Sequence, residues 1–331
     1  MSVFFRNIPK VELHVHLDCS LSYEAVRYFE PGIQKAEYLH RFVAPLNATG
    51  LPDYLEKAFE GIRFMQTAES FRVVMLDLFE QFRRDHIIYA EVRFAPFEHT
   101  QQGLTAYAAV EAASAALEEA ITHTGIEGRL ILCTLRHYPA EQSMETVRLA
   151  HTFRDRLVAG FDIAADEAAH PLDPHLPAFA FAHAHGIPCT AHAGEACGSE
   201  SVRETLEKIH PQRIGHGVRS IEDPALVEVL RQKKVHLEVC PTSNIRTHVF
   251  PSLFAHSVNA LYEAGLSVGI NTDGRAISYV TLSEEYEKLH QVFGWDTAHF
   301  LRCNIQALDA AFIPEHLKSR LKETLTAGYP R

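Results

Sequence analysis

The chain of 331 residues carries 31 Lys plus Arg against 42 Asp plus Glu, a formal net charge of −11, and is 47% hydrophobic and 22% charged. That acidic balance excludes the basic surface that a nucleic-acid backbone requires, and no apolar run reaches the roughly 18 residues of a membrane span. Neither nucleic acid nor a membrane is an expected partner. The opening residues MSVFFRNIPKVE lack an apolar h-region and a cleavage site. Cys19, Cys133, Cys189, Cys197, Cys240 and Cys303 form no C-x-x-C pair and read as buried reduced thiols, so a cytoplasmic location is expected. No repeat, low-complexity tract or Pro/Gly/Ser linker divides residues 1–331, which read as a single domain.

Eight short apolar runs read as strands: residues 11–17, 87–94, 130–135, 158–164, 188–192, 213–216, 235–240 and 266–271. Helical periodicity lies between them. Over 71–82, Phe71, Val74, Met75, Leu78 and Phe82 share one face, and over 107–121 Val110, Ala113, Leu117 and Ile121 do the same. Ser201 and Glu204 have the spacing of a capping box ahead of Leu206 and Ile209. Strands each followed by helical sequence predict an α/β fold, a (β/α)₈ TIM barrel. Residues 23–67 exceed the minimal barrel and would overhang its C-terminal face as a lid, and the sequence after Glu284 forms a helical tail. Phe59, Ile62, Phe64 and Met65 could line that lid, although their helical spacing fits core packing better.

In such barrels the reactive groups gather at the C-terminal ends of the strands. His14 and His16 are two apart on the first strand, so both imidazoles point the same way and one segment can supply two ligands to a metal. The pair alone is weak evidence, because 21 histidines in 331 residues give about one H-x-H triplet by chance. The other triplet, His183-Ala184-His185, lies in helical sequence, where the rings diverge. The setting of the first pair is what strengthens it. His192 ends the fifth strand with Glu195 just beyond, His216 ends the sixth, and Asp273 follows the eighth. Three imidazoles and a carboxylate on one rim make a plausible zinc set with room for water, whereas any one of them alone is better read as a core histidine or a capping carboxylate.

These residues lie in ordered motifs: Pro9-Lys10-Val11-Glu12-Leu13-His14-Val15-His16-Leu17-Asp18, His192-Ala193-Gly194-Glu195, Arg213-Ile214-Gly215-His216-Gly217, Glu238-Val239-Cys240-Pro241 and Asn271-Thr272-Asp273. The set resembles the adenosine deaminase family across nearly the whole chain. The resemblance implies one zinc ion per chain, held by His14, His16, His192 and Asp273, and hydrolytic conversion of adenosine, with 2′-deoxyadenosine, to inosine and ammonia in purine metabolism. It gives Glu195, His216 and Asp273 catalytic roles: Glu195 delivers a proton to purine N1, and His216 acts as base or as electrostatic support. His16, Asp18, Ala165 and Glu195 would contact the substrate, Asp18 at the ribose 5′-hydroxyl and the Ala165 N–H at N3. Asp18 favours a nucleoside over the free base, though a carboxylate that only caps the first strand has the same appearance.

The largest departure is Gly274, where many relatives carry a second aspartate that bonds N7. It leaves the hydrolytic chemistry intact and opens the alternative of a related 6-aminopurine, adenine or a modified adenosine. Another mononuclear amidohydrolase is a further alternative. A binuclear site bridged by a modified lysine is disfavoured because the fourth strand ends Ala164-Ala165-Asp166. The flipped-base deaminases need a P-C-x-x-C motif, which the chain lacks. A binding protein that has lost catalysis would show a broken site, yet each position is filled.

Overall fold

A computed structural model describes residues 3–45 and 50–330. The described residues contain eight strands: β1 Lys10–His16, β2 Ile87–Phe94, β3 Glu127–Leu135, β4 Val158–Ala164, β5 Thr190–Ala193, β6 Arg213–His216, β7 His236–Val239 and β8 Ser267–Ile270. All pair in parallel and in chain order, as two four-stranded sheets. Bridges Phe161 to Cys189 and Val15 to Asp273 join the sheets at both seams. At the second seam His16 N–H donates to the Asp273 carbonyl (2.9 Å) and Asp273 N–H to the His14 carbonyl (3.0 Å). The sheet thus closes into the expected (β/α)₈ barrel.

Expected and observed strands coincide for β2, β4 and β6. Elsewhere the ends shift by a few residues: Pro188 has no N–H for a ladder, and Cys240 already caps the helix Pro241–Arg246. The helices form where apolar periodicity meets a cap. Thr67 and Ser70 make a capping box for Ala68–Arg84, which buries Phe71, Val74, Met75, Leu78 and Phe82. Thr105 caps Ala106–Thr124, which ends at Gly125 in a left-handed conformation. One expected cap is wrong. The helix Ser199–Lys208 starts earlier, with Gly198 at its N-cap, and the Ser201 hydroxyl instead donates to Glu167 (2.6 Å).

The insertion supplies helices Tyr23–Phe29, Lys35–Phe42 and Leu51–Phe64 over the C-terminal face, its residues 46–49 lying outside the described residues. Met65 and Ile62 are buried and Phe64 stacks between Phe29 and Phe42, so these three pack. Phe59 does not; it is 60% exposed. The tail begins at Leu282, where Thr281 and Glu284 form a capping box, and continues as Thr297–Ala310 and Glu315–Gly328.

The barrel interior is unusually ionic. Arg93 of β2 bonds Asp162 of β4 and Glu238 of β7, both at 2.7 Å, and Arg213 of β6 forms ion pairs with Glu91 and Glu238, both at 2.6 Å. All five side chains are fully buried. Each charge has a partner, the condition for tolerating ions away from water.

Candidate active site

The ionic core reaches the C-terminal rim through two histidines. Glu238 lies 2.8 Å from His14 Nδ1 and Asp162 lies 3.2 Å from His192 Nδ1, so each carboxylate holds the far nitrogen of a ring and aims its Nε2 outward. Arg93 ties the two carboxylates together. The outward nitrogens meet. His16 Nε2 and His192 Nε2 are 3.3 Å apart, and Asp273 Oδ1 lies 3.4 Å from His16 Nε2 and 3.6 Å from His14 Nε2. The second Asp273 oxygen accepts from Ser243 Oγ at 2.7 Å. His14 Nε2 is buried without a hydrogen-bond partner. Four ligand atoms that converge on one small volume, one of them an orphaned buried nitrogen, are what a cation would satisfy. Among the described residues two overlapping groups have this geometry: His14 with His16 and His192, and His14 with His216 and Asp273.

Gly215 makes the convergence possible. A Cβ there would stand 3.0 Å from His14 Cε1 and 3.2 Å from His192 Cγ. Three non-glycine residues on the rim, Ala165, His216 and Asp273, have positive φ (75°, 62° and 63°). Such strain is characteristic of sites whose side chains are held for a purpose.

Glu195 faces the cluster, its Oε2 3.5 Å from His216 Nε2. Burial, with the charges of Asp273 and Glu167 added, pushes its carboxyl well above the usual carboxylate range, so it stands protonated. Burial, then the His14 ring, holds His216 well below the ordinary imidazole value and therefore neutral. Burial opposes ionisation of Asp18 too, but the neighbouring His99 ring, its Nε2 3.5 Å away, outweighs it and keeps Asp18 below the usual range. Ala165 is half-buried on the loop after β4.

The structure brings His14, His16, His192, His216, Asp273 and Glu195 together. Sequence reasoning missed their supports. Glu167 accepts from the backbone N–H groups of Gly194, Glu195 and Cys197 and so fixes the turn that carries Glu195. Asp162, an acid inside an apolar strand, was a readable signal. Glu238 stood in a quoted motif without a role. At Gly274 a Cβ would come within 2.8 Å of Cys19 Cβ and 2.9 Å of Tyr54 Oη, so the space a side chain would take is filled by the loop after β1 and by the insertion. The His183/His185 pair diverges as expected, His183 bonding the Ile209 carbonyl and His185 the Phe181 carbonyl. A cleft of about 1300 Å³ lined by Pro188, Gln212, Val235 and Ser267 lies at the opposite end of the barrel, away from this chemistry.

The sequence profile of a family described as adenosine deaminase matches residues 9–327. An adenosine deaminase of Clostridium acetobutylicum is 35% identical over 326 residues, which cover 96% of this chain and 97% of that one. A solved Arabidopsis N6-mAMP deaminase superimposes with a TM-score of 0.87 at 25% identity, covering 98% and 99% of the two chains. The adenine deaminase of Arthrobacter aurescens shares the fold, with a TM-score of 0.88 at 24% identity over 97% and 98% of the chains.

Proposed function

We propose a substrate and a residue-level mechanism for a chain that belongs to the adenosine deaminase family and is a hydrolytic deaminase: it converts adenosine, and 2′-deoxyadenosine, to inosine and ammonia. The observation that carries this reading is the convergence of His14, His16, His192 and Asp273 beside a protonated Glu195. Those four residues would hold one zinc ion, which when bound supplies the Lewis acidity that makes water a nucleophile near neutral pH.

Addition of water at C6 removes the C6–N1 π bond, so N1 must gain a proton. Glu195 holds that proton, because its buried carboxyl stays neutral. The Glu167 carboxylate fixes the Glu195 backbone (2.7 Å) and Thr247 Oγ1 donates to its Oε1 (3.3 Å), so the acid is pointed rather than free. His216 faces the same volume and can take a proton from the incoming water or hold its oxygen. The Glu195 carboxylate left after N1 is protonated can carry the adduct's hydroxyl proton to the amino nitrogen, which leaves C6 as ammonia while the oxygen becomes the 6-oxo group of the product.

Asp18 supports a nucleoside substrate. A buried carboxylate held below its usual range accepts a hydrogen bond from a hydroxyl and repels a phosphate. The second reading, a related 6-aminopurine, draws on Gly274, where Tyr54 and Cys19 stand in place of a side chain. An assay of adenosine, 2′-deoxyadenosine, adenine, AMP and N6-substituted adenosines, followed by ultraviolet absorbance and paired with metal analysis, separates the two. The nucleosides should be fastest; adenine or AMP surpassing both would overturn the proposal, and absence of stoichiometric zinc would overturn the metal assignment.

A further inference from the structure

Behind His216, on the side away from the substrate volume, runs a chain of buried polar groups. Asn244 Nδ2 lies 3.1 Å from His216 Nδ1, His256 Nε2 lies 3.2 Å from Asn244 Oδ1, and the Val258 backbone N lies 3.0 Å from His256 Nδ1. His216, Asn244 and His256 are at most 4% exposed. The direction of every bond follows from its far end. A backbone N–H can only donate, so His256 Nδ1 must accept. Burial keeps His256 neutral, its pKa pushed down to about 3. A neutral imidazole with an acceptor Nδ1 carries its proton on Nε2, and that proton goes to Asn244 Oδ1. The amide is thereby turned so that its Nδ2 donates to His216 Nδ1.

We propose that Val258, His256 and Asn244 form a tautomer relay that fixes the single proton of His216 on Nε2, so that His216 donates a hydrogen bond to the oxygen adding at C6 and does not take its proton, which passes to the Asp273 carboxylate on the same rim. Asn244 and His256 are positioning residues that act on His216; Asn244 also hydrogen-bonds the Glu195 carboxyl, so the ring-nitrogen signature of His216, not kcat alone, reports the relay. The inference rests on the deaminase reading above for what lies in front of His216, but the relay itself stands on the hydrogen bonds behind it. It also chooses between the two roles open to His216, because a nitrogen that already bears hydrogen has no lone pair for a base. The anchor is backbone, so the relay cannot reverse without breaking the Val258 bond. Asn244 is well placed for this task, since Ser243, its neighbour on the helix Pro241–Arg246, holds Asp273 at 2.7 Å. One short helix therefore orients two of the groups that surround the reacting centre.

The test is nitrogen NMR of the zinc-loaded full chain labelled with ¹⁵N-histidine, in which long-range ¹H–¹⁵N correlations report which ring nitrogen bears hydrogen. His216, identified by loss of its signals in His216→Gln, should show a protonated Nε2 and a bare Nδ1. Asn244→Asp presents only acceptors to both rings; it should move the proton to Nδ1 or make the ring a cation. It should also lower kcat roughly 10²- to 10³-fold while KM and zinc content stay near those of the unmodified protein. His256→Gln keeps a donor for Asn244 Oδ1 and should retain the original tautomer and most of the turnover, whereas His256→Phe should not. An Nδ1-protonated His216 in the unmodified protein would overturn the relay by itself, whatever the variants do. So would unchanged kcat and tautomer in Asn244→Asp. Failure of the deaminase reading would show separately, as absent adenosine turnover by the unmodified zinc-loaded protein.

Discussion

Replacing Glu195 with glutamine removes one transferable proton and little else. The two side chains are nearly isosteric. The backbone of residue 195 stays pinned by Glu167, whose carboxylate also holds Gly194 and Cys197 N–H groups, so the turn has no reason to move. Thr247 Oγ1 keeps a carbonyl oxygen to donate to. What disappears is a neutral acid facing the cluster, and general acid catalysis of that kind contributes about 10²- to 10⁴-fold. Turnover of adenosine should therefore fall by at least about 10²-fold, with zinc content unchanged because none of the four converging ligand atoms belongs to Glu195. The pH profile gives a second reading of the same group. Its folded pKa is raised by burial and by Asp273, so the active acid is present below that raised value and is lost as pH rises through it. The alkaline limb of kcat in the unmodified enzyme should be absent from the residual activity of Glu195→Gln. Ultraviolet absorbance follows conversion to inosine, and metal analysis of the same sample controls for the site. Activity within tenfold of the unmodified enzyme would refute the assignment of the acid.

Three other outcomes follow from the geometry. Arg93→Met strands Asp162 and Glu238 without their shared counter-ion, and should lower unfolding stability by about 3–5 kcal/mol and weaken zinc binding through His14 and His192; a urea-denaturation loss below about 1 kcal/mol would contradict the shared-counter-ion role. Gly274→Asp drives a Cβ against Cys19 and Tyr54 and should destabilise by roughly 1–3 kcal/mol, with partial recovery in the Gly274→Asp/Tyr54→Ala pair by thermal melting. Asp18→Ala should raise KM for adenosine by about tenfold or more and leave any adenine activity unchanged; equal losses on both compounds would reduce Asp18 to a structural carboxylate.

Much of this molecule is written in local pattern. A period of two on β1 turns His14 and His16 to one side, and strand ends occupied by His192, His216 and Asp273 announce a common rim once a barrel is assumed. Those signals are local because side-chain direction follows the backbone period, and they needed no partner to be read. The capping box at Ser201 failed for the opposite reason. Its hydroxyl had a competing acceptor in Glu167, 34 positions away in the chain, and only closure of the fold brings that carboxylate near. The same holds for Asp162, which sequence reading passed over, and Glu238, which it left as a motif letter; both are found as the groups that aim two histidines. Sequence alone determined which residue types stand on the rim and the barrel that carries them. Tertiary structure alone decided their distances, which carboxyl is pushed up by burial and which polar groups stand behind His216. These depend on burial and on neighbours delivered from other strands, and local periodicity carries no information about either.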